Sequence, residues 1–182
     1  MARRVAVRFG LSTEEIDRVT RGAELHDIGK MGVPDGILDK PAVLDELETA
    51  LVHQHTVIGE RILAAAPALA PVAELVRASH ERYDGDGYPD GLAGEDIPLG
   101  ARIIAVCDAF DAMTTGRPYQ PAVSQRAAIE ELRRCAGGQF DPKVVELFCH
   151  EIGPGQPEDE DEPPESVTAR SATNGAPTID RR

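Results

Sequence analysis

The sequence predicts an all-α fold, on three observations. Apolar residues recur at three- and four-residue spacing along successive segments, those segments are bounded by Gly, Pro and capping residues, and no alternating apolar–polar run of the kind that builds a half-buried strand is present. At 182 residues with 41% hydrophobic side chains, the chain is long enough for one core and a short appendage.

The elements follow in order. Ser12-Thr13-Glu14-Glu15 reads as a capping box, with Ser12 as N-cap and Glu15 three residues on. Ile16, Val19 and Ala23 continue at helical spacing until Gly29. A second helix is predicted over 44–55, where Leu47, Leu51 and His55 recur every four residues. It continues as a helix over 56–66, until Pro67. Residues 72–80 read as a helix, followed by a loop over 84–98 that holds four glycines and two prolines. The apolar stretch 101–115, closed by Gly116, and the segments 124–136 and 142–150 complete the set. After Ile152 the composition changes: residues 153–182 contain five consecutive acids, Glu158 to Glu162, several prolines and almost no apolar side chains. Such a segment cannot bury enough surface to offset its ordering entropy, so the expected organisation is a domain over 1–152 and a disordered acidic tail over 153–182.

Composition also excludes function classes. The formal charge is −13, of which the tail carries −4 from seven acids and three arginines. A polymeric nucleic acid or an anionic membrane needs a cationic footprint, so neither is an expected partner. A small anionic ligand is compatible, provided local Lys, Arg or metal ions oppose the overall field. No run of 18 apolar residues could span a bilayer, and Met1-Ala-Arg-Arg-Val lacks the apolar stretch of a signal peptide. Cys107, Cys135 and Cys149 show no paired spacing and read as reduced thiols, which points to the cytoplasm.

Chemistry-bearing side chains cluster where helices end or turn inward. His26-Asp27 closes the Ser12 helix. Neighbouring helical residues diverge by about 100°, so both can lean toward one point from a helix end. His55 continues the Leu47/Leu51 stripe into Ile58 and Ile62 and is therefore expected to point inward. His80 ends its helix just before the glycine loop, and Asp108 interrupts the otherwise apolar run 103–110. A buried carboxylate needs a partner or a metal, and Arg102 or Arg117 could serve. Taken singly, each residue has a plain explanation: an inward His hydrogen-bonded in a core, a His-Asp pair capping a helix, an Asp paired with Arg. His53 and His150 fall off the inner faces and read as surface residues. Together, three histidines and two aspartates directed inward from four helices suit Mn²⁺, Fe or Zn²⁺, and carboxylates can bridge a pair of metals.

The motifs resemble a known family. His26-Asp27-Ile28-Gly29-Lys30, Val33-Pro34-Asp35 with Leu38, His55-x-x-x-Gly59, HERYDGDGYPDGL over 80–92, ARIIAVCDAFDAMTTGRPY over 101–119 and Gly138-Gln139-Phe140-Asp141-Pro142 closely resemble the HD-GYP family of the HD superfamily. That resemblance runs from about Leu11 to Val145 and implies an HD-superfamily helical bundle with a long Gly-rich GYP loop. It implies a metal-dependent phosphodiesterase opening cyclic di-GMP to pGpG and onward to GMP in bacterial signalling. The alternative is a catalytically impaired module that binds cyclic di-GMP or a diguanylate cyclase partner. The metal ligands it implies are His26, Asp27, His55, His80 and Asp108, holding two divalent ions, Mn or Fe, with Asp27 bridging. Lys30 would touch the scissile phosphate, Arg117 would hold substrate phosphate, and Tyr88 would shape the substrate pocket and meet diguanylate cyclase (GGDEF-type) domains.

The bottom-up chemistry agrees. A phosphodiester needs charge neutralisation and leaving-group stabilisation, which metals supply and to which Lys30 and Arg117 would add. Two positions depart from the family's pattern. Many members carry a second His where Ser79 stands, and a hydroxyl is a poor ligand. Members also take a further His from an upstream helix, whereas residues 1–10 contain none and read as the back half of that helix.

Overall fold

The computed structural model describes residues 1–115 and 121–153, so Arg117 and the tail from residue 154 onward lie outside the described residues. Helices form where caps and periodicity place most of them: α1 (Ala2–Arg8), α2 (Thr13–Leu25), α3 (Asp35–Leu38), α4 (Glu46–His53), α5 (His55–Ala64), α6 (Ala70–Arg77), α7 (Leu99–Thr115), α8 (Gln125–Arg134) and α9 (Pro142–Ile152). Short 3₁₀ turns occupy Ile28–Gly32, Ala78–His80 and Gly94–Asp96. Among the described residues there is no strand, only an isolated bridge between Ala136 and Phe140. The all-α prediction therefore holds. No described helix is long and apolar enough to cross a membrane.

The expected capping box opens α2: Ser12 Oγ accepts the Glu15 N–H at 3.3 Å, and Glu15 Oε2 accepts the Ser12 N–H at 2.8 Å. An unforeseen second box opens α4, where the Asp45 carboxylate and Glu48 exchange the same pair of bonds at 2.9 Å each. The main core gathers α1, α2, α7, α8 and α9 around Val5, Val19, Ile104, Phe110, Leu132 and Phe148, the two phenylalanine rings lying 5.0 Å apart. Each such buried side chain contributes about 1.5–3 kcal/mol. Leu63, Val72, Ala73 and Val76 form a smaller cluster between α5 and α6. Arg4 and Arg8 both reach Glu151 at 2.7 Å and tie α1 to α9.

Three expectations are corrected here. Arg102 does not serve Asp108. It pairs at 2.6 Å with the buried Asp141, whose other oxygen caps α9 through the Lys143 N–H at 2.8 Å. The apolar stripe read through Leu47 and Leu51 is not a core face: these side chains are 79% and 49% exposed, and no residue of α4 is buried. The continuous helix predicted through 44–66 breaks at Gln54. At the break His55 Nδ1 takes the Val52 carbonyl at 2.6 Å and Thr56 Oγ1 takes the His53 carbonyl at 3.1 Å. Side chains here occupy the carbonyls that the next helical turn would otherwise use.

Candidate metal centre

The site is built where α2 ends, α5 begins, α6 ends and α7 passes. Its closest packing is backbone on backbone. The 3₁₀ turn that follows Asp27 presses on α5 so tightly that a Cβ on Gly29 would stand 1.8 Å from the His55 carbonyl oxygen and 2.5 Å from the Gly59 nitrogen. A Cβ on Gly59 would in turn meet Val76 Cγ1 at 2.9 Å. Gly29 of the HDIGK motif thus sets the distance between Asp27 and His55, because only a residue without a side chain permits this crossing, while Gly59 of the HxxxG motif gives α5 its close approach to Val76 on α6.

Three of the histidine and aspartate groups close on one point. One ligand atom each from Asp27, His55 and His80 lies within 4.8 Å of the other two. His55 Nε2 is 3.7 Å from Asp27 Oδ1, as is His26 Nε2, and His26 Nε2 is 3.4 Å from Asp108 Oδ1. The His26 and His80 rings are 6.2 Å apart, and those of His55 and His80 are 4.9 Å apart. The structure thus brings His26, Asp27, His55, His80 and Asp108 together. Lys30 joins them, its Nζ donating to Asp27 Oδ2 at 2.6 Å.

The ring orientations are set from behind. His26 Nδ1 lies 2.8 Å from the Ala23 carbonyl, and His55 Nδ1 lies 2.6 Å from that of Val52. These contacts assign the proton to Nδ1 and leave Nε2 lone pairs facing the cluster. Burial, reinforced by the neighbouring His55, pushes His80 down to about 4, and burial likewise lowers His55. For His26 burial is again the largest single influence and acts downward, but the Asp108 carboxylate, the Ala23 carbonyl and the Asp27 charge together outweigh it and the net shift is upward; His26 correspondingly holds Asp108 below the usual carboxylate range.

Four atoms carry the fit to a cation. His26 Nε2, Asp27 Oδ1, His55 Nε2 and His80 Nε2 are buried, converge, and have no hydrogen-bond partner among the described residues. A buried polar atom left so is expensive; three of these, on Asp27, His55 and His80, meet at one point, His26 Nε2 lies 3.7 Å from the same Asp27 oxygen, and the set matches the donors of a divalent transition metal. Ser79 is buried, and its hydroxyl donates to the Val76 carbonyl at 2.8 Å, so it faces its own helix rather than serving as the missing histidine.

The GYP loop is fastened over this cluster by Glu81 and Asp90, which lie within the 80–92 motif, and by Arg77 and Glu60, which the motifs do not include. The buried Glu81 carboxylate accepts the Asp90 N–H at 2.7 Å and the Leu92 N–H at 3.1 Å. Arg77 grips the Asp90 carboxylate with two bonds of 2.6 and 2.7 Å and reaches Glu60 on α5 at 2.6 Å. A Cβ on Gly87 would stand 2.2 Å from the Arg82 nitrogen. Held this way, Tyr88 lies parallel to His80, with ring centroids 5.2 Å apart and planes 10° apart.

His53, read from sequence as a surface residue, is corrected by the structure: it stacks on Tyr88 at 3.6 Å with planes 7° apart. On an unbroken helix His53 and His55 would diverge by about 200°. The break at Gln54 removes that constraint, and the His53-x-His55 spacing was the signal available for it. His53, His80, Tyr88, Asp108 and Phe140 line a cleft of about 310 Å³ beside the cluster. A larger cleft of about 890 Å³ between α8 and α9 holds none of these residues and has no part in this chemistry. His150 lies exposed at that edge, as expected.

Comparison with known proteins places most of the chain in a family. The HD domain family profile matches residues 1–144. The chain is similar to a cyclic di-GMP phosphodiesterase of Thermotoga maritima, 43% identical over 147 residues that make up 80% of this chain and 40% of that protein. It is also similar to the 3'3'-cGAMP-specific phosphodiesterase 2 of Vibrio cholerae, 41% identical over 147 residues, 80% of this chain and 28% of that protein. The chain therefore spans two fifths or less of the length of these relatives. In fold it is similar to the crystal structure of a V. cholerae cyclic GMP-AMP specific phosphodiesterase (V-cGAP3), with a TM-score of 0.64 and 20% identity over 83% of this chain and 41% of the other.

Proposed function

The chain belongs to the HD domain family, and from that membership and the converging donors we propose that it is a metal-dependent phosphodiesterase opening cyclic di-GMP to linear pGpG and onward to GMP. The observation that carries the reading is the set of four unpartnered buried donors beside Lys30. His26, Asp27, His55, His80 and Asp108 would hold two divalent ions, Mn or Fe, with Asp27 between them. Bound, such ions would supply Lewis-acid activation and neutralise phosphoryl charge.

The remaining work falls to this chain's own side chains. Lys30 Nζ is anchored by Asp27 Oδ2 and keeps further N–H donors for a phosphoryl oxygen, where local positive charge counters the acidic surface. The neutral, buried His55 and His80 hold their proton-free nitrogens toward the cluster at neutral pH. Tyr88, stacked on His53, lines the adjoining cleft and offers an aromatic ring to the packing of a planar base. Arg117 is kept in this reading as a phosphate contact, and GGDEF-type domains as the partner class for the loop at Tyr88.

The test is turnover of cyclic di-GMP by Mn²⁺- or Fe²⁺-loaded protein, followed chromatographically, with 3'3'-cGAMP as the competing substrate. The expected result is pGpG from the wild type and loss of at least about 100-fold in Asp27→Ala. Equal turnover by both proteins overturns the reading, and preference for 3'3'-cGAMP replaces the proposed substrate.

A further inference from the structure

We infer that His53 is a positioning residue: its imidazole holds the Tyr88 ring parallel to His80 and so fixes the place of Tyr88 in the lining of the substrate cleft. The inference rests on the cyclic-dinucleotide reading of the cleft. Three nearly parallel rings make the case. His53 and Tyr88 are 3.6 Å apart at 7°, and Tyr88 and His80 are 5.2 Å apart at 10°.

The bonds that fasten the loop act elsewhere. Glu81 and Arg77 hold residues 90 and 92, and the Tyr88 N–H donates to the His80 carbonyl at 3.3 Å. These fix the course of the backbone but leave the two side-chain torsions of Tyr88 to ring packing. His53 supplies that packing from a different element, α4, which contributes no buried residue to the core. Its place at the end of α4 therefore serves the cleft rather than the fold. A Tyr88 ring stacked in place in advance spares the substrate the ordering of that side chain, an effect that appears in binding more than in the chemical step.

The test compares His53→Ala and His53→Phe in the full chain. The chain has no tryptophan and three tyrosines, so the near-ultraviolet circular dichroism of Tyr88 is obtained as the difference from Tyr88→Phe. His53→Ala is expected to abolish that difference band and to raise KM for cyclic di-GMP about tenfold while kcat changes by less than about twofold. His53→Phe, which restores a flat ring, is expected to recover both. An unchanged band and KM in His53→Ala overturn the inference, as does a His53→Phe protein no better than His53→Ala. If the wild type hydrolyses no cyclic dinucleotide, the functional reading fails, and the dichroism band alone decides whether His53 holds Tyr88.

Discussion

At the scale of single residues, the histidines divide by their surroundings. His80 is neutral in the fold because burial drives it from 6.5 to about 4, and His55 moves in the same direction. A group whose folded value is depressed contributes stability that is complete above its unfolded value and is lost as pH falls through the folded one. Metal-free protein in chelator should therefore lose thermal stability progressively from pH 6.5 to about 4, and His80→Asn should show a shallower fall. Parallel pH profiles for the two proteins would show that His80 is not buried as described. The upward shift of His26 works the other way, fading as pH rises, so it cannot produce this acid loss. All five candidate ligands and Lys30 were legible in the sequence, because their motifs survive translation into geometry. His53 was not, because its direction depends on a helix break that no periodicity shows.

At the scale of elements, the starts of helices with strong caps and apolar faces, such as α2 and α9, were readable to the residue, whereas α2 ends at Leu25 rather than at Gly29 and α9 continues to Ile152. The segment 44–66 misled, because Leu47 and Leu51 keep a helical period while facing solvent. Tertiary contact, not spacing, decides which face is buried. The crossing of the 3₁₀ turn over α5 was visible only as two motif glycines; that they touch is a fact of packing. Gly29→Ala should push backbone against backbone and cost about 3 kcal/mol or more. It should also separate Asp27 from His55. Denaturant titration and metal content by atomic spectroscopy measure the two effects, and a Gly29→Ala protein with native stability and full metal content would refute the role of the crossing.

At the scale of the whole molecule, a net charge of −13 surrounds a site proposed to receive an anion. Association should then be slowed by the overall field and assisted by positive charge at the site itself, from Lys30, the proposed Arg117 contact and bound metal. We propose that residues 153–182 are an appendage to a domain over 1–152. Truncation after Gly153 should leave the melting temperature unchanged and raise kcat/KM at low ionic strength, since it removes −4 of the charge. The advantage should vanish as salt shortens the range of the field. A drop in melting temperature on truncation would show that the acidic segment belongs to the folded unit.

Helix α4 buries none of its residues, and it serves the site only from its C-terminal end, through the Val52 carbonyl and His53. Its outward positions are consequently open to evolutionary drift: change there leaves the hydrophobic interior undisturbed, so homologous proteins can diversify along this flank while the reaction centre stays the same.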